Sequence, residues 1–451
     1  MNTHEQLRAL GLFDARVPRY TSYPTAPHFS PAVGADDVRA WLGAMAPGSQ
    51  LSLYVHIPFC RRLCWFCACR TQGTSTDAPV AAYIATLLAE LALIRAALPA
   101  GVTIGHLHWG GGTPTLLAPD LIATLAGAIF DMAPLAPGGE FSVEIDPAEI
   151  DDARMDALCA AGMTRASVGV QDFNPEIQQT IGRIQSFATT KAAVDGLRAR
   201  GINSLNADIL YGLPFQTPQR IRESVEQLLS LAPDRVALFG YAHVPWMARR
   251  QNMIPTAALP TPEERLGMFE VARSLFLTAG YDEIGIDHFA RKSDRLAIAA
   301  RNHALRRNFQ GYTDDTHDTL IGLGASAISR YPQGYAQNAP ATSAYQGLIR
   351  GGRLGIQRGH AFGGDDPLRA RIIEALMCDF RVSHADLAAR FGTSGADFAT
   401  LADGAATAFP GMLDTTGGAI TIRPHARPLT RIIARHFDAY AMEASGHSSA
   451  V

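Results

Sequence analysis

The chain has 451 residues, a formal net charge of −3, 47% hydrophobic residues and 18% charged ones. That balance excludes a disordered chain, and the small net charge argues against an electrostatic binder of nucleic acid or anionic membrane. The length accommodates one large α/β domain and a smaller second one.

Residues 1–50 read as an arm and a lead-in, with loop character around Arg16-Val-Pro-Arg-Tyr-Thr-Ser-Tyr-Pro-Thr-Ala-Pro-His28. The opening Met-Asn-Thr-His-Glu-Gln lacks the basic-then-apolar pattern of a signal peptide. No apolar run is expected to reach a membrane span; Leu87–Leu98, for example, is interrupted by Glu90 and Arg95. A cytoplasmic protein is expected, and a monomer, since nothing demands an oligomer. Residues 51–350 then alternate short β-rich runs with helical periodicity. Strands are expected at Leu51–Ile57, Ile104–Trp109, Phe141–Ile145, Arg165–Val170, Ser204–Leu210 and Arg235–Tyr241. Helices are expected near 79–98, 117–132, 150–161, 190–200 and 217–231, where apolar residues recur at three- and four-residue spacing. Alternation of this kind implies parallel strands joined by helical crossovers, here a partial (β/α)6 barrel. Functional residues should lie at the C-terminal ends of its strands. Residues 351–451 read as a small, mainly helical domain with a β-like piece at Ala419–Ile422 and a winged-helix character. Residues 444–451 are expected to form a frayed tail.

The first strand runs directly into Cys60-Arg-Arg-Leu-Cys64-Trp-Phe-Cys67-Ala-Cys69, which holds four of the six cysteines. Thiolates are soft ligands that favour iron–sulfur, zinc or Cu(I). Three cysteines spaced C-x3-C-x2-C can hold one iron–sulfur cluster and leave its fourth iron without a protein ligand, so that iron can bind a small molecule. Structural zinc instead uses four closed ligands, commonly as two separated pairs, and no second pair occurs here. Cys159 and Cys378 are isolated and read as small buried hydrophobes.

Polar or glycine-rich residues follow at successive strand ends. The second strand gives Trp109-Gly110-Gly111-Gly112-Thr113-Pro114-Thr115, which is neither a P-loop nor G-x-G-x-x-G but can let a ligand approach the backbone. The third ends at Glu144, whose carboxylate suits a diol such as a ribose. The fourth ends Gly169-Val170-Gln171-Asp172-Phe173, with Arg183 following. The fifth carries Asp208-Ile209-Leu210-Tyr211-Gly212, and the sixth Tyr241-Ala242-His243.

The C-x3-C-x2-C motif with Phe66 before its third cysteine resembles the radical S-adenosylmethionine superfamily. Further pieces resemble, more closely, the oxygen-independent coproporphyrinogen III oxidase family of heme biosynthesis. They are the arm from Pro18 to Ala26, Tyr54-Val-His-Ile-Pro-Phe-Cys60, Cys67-x-Cys69, His108-Trp-Gly-Gly-Gly-Thr-Pro-Thr115, Gly169–Phe173, Ile209–Pro214, Asp287–Ala290 and Arg307–Thr313. They run in order over nearly the whole chain. The resemblance implies that Cys60, Cys64 and Cys67 hold a [4Fe–4S] cluster. It places Tyr54, Phe66, Gly111, Glu144 and Ile328 around one S-adenosylmethionine. It places Gly112, Thr113, Gln171, Arg183, Asp208 and Ala242 around a second, and it does not make Cys69 a cluster ligand. The implied reaction turns two propionates of coproporphyrinogen III into vinyls with loss of carbon dioxide, through a 5′-deoxyadenosyl radical, and needs a reducing electron-donor protein. A substrate with four carboxylates calls for cationic side chains; Arg19, Arg306 and Arg307 are the candidates. Departures from the family pattern are Ala68 and Gly182, where glycine and asparagine are common, and Arg70 after the motif. The alternatives are a heme-binding chaperone of the same branch or another tetrapyrrole-acting radical protein. An arm of the Arg-Tyr-Thr-Ser-Tyr-Pro type and a cysteine at 69 favour the oxidase.

Overall fold

The computed structural model describes residues 3–440 and 449–450, so the expected frayed tail falls, apart from Ser449 and Ala450, outside the described residues. The chain divides into two units, each discontinuous in sequence. One comprises residues up to His28, Pro260–Asp314 and Phe362 onward; the other comprises Phe29–Leu259 and Asp315–Ala361.

The larger unit is built on six strands: β1 (Gln50–Ile57), β2 (Thr103–Gly111), β3 (Leu135–Ile145), β4 (Arg165–Gln171), β5 (Ser204–Tyr211) and β6 (Arg235–Gly240). Each pairs in parallel with the next. In β1 the side chains are buried on both faces: Leu51, Leu53, Val55 and Ile57 lie at 1% exposure or below on one, and Ser52 and His56 at 2% and 7% on the other. Helices Ala78–Ala97, Pro119–Met132, Asp152–Ala160, Phe187–Ala199 and Pro218–Ser230 make the crossovers. Local chemistry sets their starts. Asp151, Ser186 and Thr217 accept hydrogen bonds from backbone N–H groups of the first turn, and proline opens the helix after Thr217. This is the expected partial (β/α)6 arrangement. β3 begins six residues before the expected start, because Leu135 pairs with Ile104 ahead of a register shift.

The sheet continues beyond β1. Strand β7 (Leu320–Leu323) pairs with β1 in parallel, and β8 (Ile328–Tyr331), β9 (Gly334–Asn338) and β10 (Ile356–Ala361) follow antiparallel. The extension therefore runs to Ala361, past the expected boundary at 350.

Helix Ala78–Ala97 corrects one expectation: it is long and apolar enough to cross a membrane by length and composition. In this fold it is the first crossover helix, and it buries Val80, Tyr83, Ile84, Leu87, Leu91 and Ile94. Glu90 does not interrupt it; the side chain is itself buried. Its carboxylate accepts hydrogen bonds from the Gly324 N–H (2.8 Å), Asn338 Nδ2 (2.8 Å) and the Tyr345 hydroxyl (2.6 Å). The Tyr83 hydroxyl, two turns earlier on the same helix face, donates to the His56 carbonyl and accepts from the Ala325 N–H. One helix thus fastens β1 to the loop that leads into β8.

In the smaller unit, helices Asp366–Asp379, His384–Phe391 and Gly395–Ala408 accompany a three-stranded sheet in the order Arg381–Ser383, Ala419–Ile422, Leu413–Asp414. The helices, and the strand at Ala419–Ile422, stand where the sequence places them. The arm belongs to this core: Leu7, Leu12, Phe13, Tyr20 and Tyr23 pack with Leu376, Phe380, Leu387 and Phe437. Arg431 reinforces it by donating to the Val17 and Pro18 carbonyls. The two units cut across the three consecutive segments read from the sequence, because burial of these arm residues is satisfied by partners far along the chain.

Burial pushes the Glu90 carboxyl up to about 7, against the opposing pull of its three donors. A carboxyl raised in the folded state holds its proton to higher pH than the unfolded chain does. Stability from this group is therefore fullest below the ordinary glutamate range and declines as pH rises toward 7. Glu90→Gln should flatten that decline in melting temperature between about pH 4.5 and 7. Glu90→Ala, which leaves buried donors unmet, should cost about 2–4 kcal/mol, read as a lower melting temperature at every pH.

Candidate active site

The site is assembled at the C-terminal ends of β1–β6. Its backbone begins where β1 and β2 end side by side, with Ile57 opposite Gly111. The Gly112 N–H donates to the Ile57 carbonyl at 2.8 Å. A Cβ on Gly112 would lie 2.5 Å from the Phe59 carbonyl oxygen, and one on Gly111 would lie 2.5 Å from the His56 ring. Gly111 also has φ +113°, which a side chain resists. The glycine turn is therefore what lets the cysteine loop lie directly against β2.

That loop is closed at its base by a short parallel pair, Phe59–Cys60 beside Gln72–Gly73. The Gln72 N–H reaches the Pro58 carbonyl (2.7 Å) and the Thr74 N–H reaches the Cys60 carbonyl (3.0 Å). Donors converge on the sulfurs. The Cys69 N–H lies 3.4 Å from Cys67 Sγ, and Arg183 Nη1 lies 3.7 Å from Cys64 Sγ. The Cys69 side chain first, and then its N–H, lower the Cys67 thiol toward the thiolate against the penalty of burial. Burial dominates at Cys60 and raises it to about 11, although the Thr113 hydroxyl pulls the other way. Cys69 thus acts on Cys67 rather than standing apart.

Beside the loop, Tyr54 and His108 stack at 5.8 Å with their rings 14° from parallel. The Tyr54 hydroxyl lies 2.9 Å from His56 Nδ1, and His56 Nε2 lies 3.1 Å from the Arg70 carbonyl just past the cysteines. Glu144 accepts from the Gly111 N–H at 3.0 Å and sits 3.4 Å from His108 Nε2. Burial pushes its carboxyl up, but the His108 and Gly111 bonds outweigh this and hold it below the usual range. With 41% of its side chain exposed, Glu144 stays ionised at the mouth.

On the far side, Arg183 is pinned by the Gly169 carbonyl (3.1 Å) and Asp146 (3.3 Å). Gln171 closes β4 with φ +71°. Asp208 lies opposite Gly169 on β5 and accepts from Asn206 at 2.7 Å. Thr113 is buried beside Cys60. Ile328 opens β8, its backbone carbonyl packed where a Cβ on Gly322 would fall, 2.7 Å away. All of the residues proposed from the sequence to hold the cluster or S-adenosylmethionine lie in this one unit. Arg19, Arg306 and Arg307 lie in the other. Arg307 is buried over the Tyr312 ring at 4.4 Å and within 3.9 Å of Asp287, which is a packing role.

A model of the Radical SAM superfamily matches residues 54–228. The oxygen-independent coproporphyrinogen III oxidase of Paracoccus denitrificans is 61% identical over all of both chains. The chain belongs to the oxygen-independent coproporphyrinogen III oxidases. The enzyme of that name from Cereibacter sphaeroides is 58% identical, with 98% of this chain and 97% of its own length covered. The solved coproporphyrinogen III oxidase from Escherichia coli, described as a radical SAM enzyme, superposes with a TM-score of 0.89 at 36% identity. It covers 95% of this chain and 100% of its own. Membership in this family brings with it a [4Fe–4S] cluster and S-adenosylmethionine.

The oxidase fold also recruits residues that sequence reasoning passed over. The side chain of Gln251, fully buried, donates to the Phe66 carbonyl (2.7 Å) and the Ala242 carbonyl (3.0 Å), and accepts from the Val244 N–H (2.6 Å). Arg250 donates twice to Thr71, on the side chain and on the carbonyl, both at 3.0 Å. Together they clasp both halves of the cysteine loop to the end of β6. Neither residue sits in a motif, so nothing in the local sequence marks them. The glycine at 182 also gains a reason: it has φ +69°, and a Cβ there would meet the Trp65 ring at 3.0 Å.

Gly112→Ala should prevent stable cluster retention, seen as loss of iron and of brown colour after anaerobic reconstitution. Gln251→Ala should leave the chain folded by circular dichroism but lower turnover by roughly tenfold or more, because a misplaced reacting group is costly.

Proposed function

We infer that this chain decarboxylates two propionates of coproporphyrinogen III to vinyls without oxygen, giving protoporphyrinogen IX for heme biosynthesis. The observation that carries this reading is 61% identity, end to end, with an oxidase of that name. The donor set fits the cofactors: soft thiolates with N–H and guanidinium groups aimed at sulfur, and a glycine cradle that any side chain would fill. Cys60, Cys64 and Cys67 hold the [4Fe–4S] cluster. When bound, the cluster and S-adenosylmethionine supply the one-electron chemistry that removes a hydrogen atom from the unactivated propionate β-carbon.

The protein's own task is placement. Tyr54, Phe66, Gly111, Glu144 and Ile328 surround the S-adenosylmethionine at the cluster. Glu144 offers its ionised carboxylate to a ribose diol, and the His108 and Gly111 bonds hold it there. Gly112, Thr113, Gln171, Arg183, Asp208 and Ala242 surround a second S-adenosylmethionine; Gly169 links Arg183, which donates to its carbonyl, to Asp208, its register partner on β5, so a carboxyl group and a guanidinium both serve this side of the site. Arg183 is oriented by Asp146 and the Gly169 carbonyl. Arg19 is exposed and is the cationic side chain assigned to a substrate carboxylate, while Arg307 supports the arm through the Arg19 carbonyl. The enzyme works in a reducing compartment, the cytoplasm, with a protein electron donor.

The test is anaerobic reconstitution with iron and sulfide, followed by reductant, S-adenosylmethionine and coproporphyrinogen III, with products read by mass spectrometry. Protoporphyrinogen IX with 5′-deoxyadenosine and methionine is expected; tight heme binding without turnover would replace the oxidase with the chaperone. Serine at Cys60, Cys64 or Cys67 should remove the iron, whereas Cys69→Ser should retain it with altered turnover. Arg19→Ala should raise KM for coproporphyrinogen III and leave the iron content unchanged; an unchanged KM would discard that assignment.

A further inference from the structure

A second group of ligating side chains lies at the other end of the same strands. His106 on β2 and Asp315 and His317 just before β7 bring their ligand atoms within 4.8 Å of one another. Register explains the convergence: Ser52, at the start of β1, lies opposite both His106 and Leu320. The cysteine loop leaves the opposite end of β1. The two sites therefore share strands and nothing else.

We propose that His106, Asp315 and His317 form a binding site for a divalent transition ion of the zinc type. Two imidazoles and one carboxylate are a set that zinc uses when one position stays open to solvent, and the mixed nitrogen–oxygen donors disfavour magnesium and calcium. Asp315 Oδ1 lies 2.6 Å from His317 Nδ1 and 3.7 Å from His106 Nδ1. These distances bracket the roughly 3.4 Å edge of a tetrahedron with bonds of about 2.1 Å.

The surroundings orient each donor. Asp315 accepts from the Ser52 hydroxyl and from the His317 N–H (2.9 Å), and its carboxyl stays below the usual range. Gln50 Oε1 lies 3.0 Å from His317 Nε2 and can accept its proton. In that tautomer the Nδ1 lone pair faces the Asp315 carboxylate, an arrangement that a cation between them satisfies. A proton on Nδ1 would serve one histidine and one carboxylate. A metal ion serves His106 as well, whose ring lies 5.5 Å from that of His317. Glu140, the nearest other acid by register, is paired with Arg165 at 3.0 Å. Gly105 makes the room: a Cβ there would lie 2.2 Å from His317 Cε1. The His106 and His317 side chains keep 17% and 19% of their surface exposed, which leaves an entry path. Asp315 is where the chain re-enters this unit, so a bound ion would tie that re-entry to β2.

The experiment uses the full chain with its iron–sulfur cluster reconstituted anaerobically, dialysed against micromolar zinc sulfate. Zinc and iron are counted by mass spectrometry, and zinc ligands are read by X-ray absorption. The expected result is one zinc per chain with nitrogen and oxygen neighbours, an imidazole signature and no sulfur. His106→Gln and His317→Gln should each weaken zinc binding by roughly tenfold or more. Both should keep the iron content and the cleavage of S-adenosylmethionine, which shows that they fold. Zinc should raise the melting temperature of the parent chain and not of the variants. No retained zinc, zinc held through sulfur, or equal binding by both variants would each overturn the site and leave a hydrogen-bonded polar cluster.

Discussion

The close approach of β1 and β2 at their C-terminal ends is the constraint on which the rest of the site depends. Gly112 donates to the Ile57 carbonyl and lies so near Phe59 that no Cβ fits. This fixes where the chain leaves β1, and so where Cys60 begins. The same register stacks Tyr54 on His108 one layer below, and His108 with Gly111 then holds Glu144. Loss of that backbone contact would move the cysteines, the tyrosine and the carboxylate together.

Around this seam the protein spends buried polar groups on holding loops. Glu90 and Tyr83, from one crossover helix, hold the loop that leads into β8. Gln251 and Arg250 hold the cysteine loop from the side of β6. Each polar atom named here is paired, so the low dielectric strengthens these bonds rather than penalising them. A reactive site needs such rigidity, because its reacting atoms must be held at van der Waals contact while water is excluded.

The glycine at 182 shows how a departure from the family pattern acquires meaning only in three dimensions. In sequence it is a missing asparagine. In the fold it is the surface on which Trp65 lies. The neighbouring Arg183 still reaches Asp146, Gly169 and Cys64, so the substitution changes the packing of the cysteine loop and not the electrostatics beneath it.

Periodicity and motif spacing carried the six strands, their crossovers and the order of the residues at their ends. These are local properties: a parallel strand buried on both faces, a capped helix and a C-x3-C-x2-C loop each declare themselves within a dozen residues or fewer. Family membership was legible for the same reason, since its motifs run in order along the chain. The length of the β-extension, the place of the arm in the core of the smaller unit, the Gln251 clasp and the His106–Asp315–His317 group were not. Each joins residues from distant parts of the chain, as His106 joins His317, and no periodicity links them. Whether Glu90 breaks an apolar helix or anchors it was likewise decided by Asn338 and Tyr345, more than two hundred residues away. The chain's own pattern sets which elements form; only their packing decides which polar side chains meet, because a hydrogen bond or a ligand set depends on distance in space and not on distance in sequence.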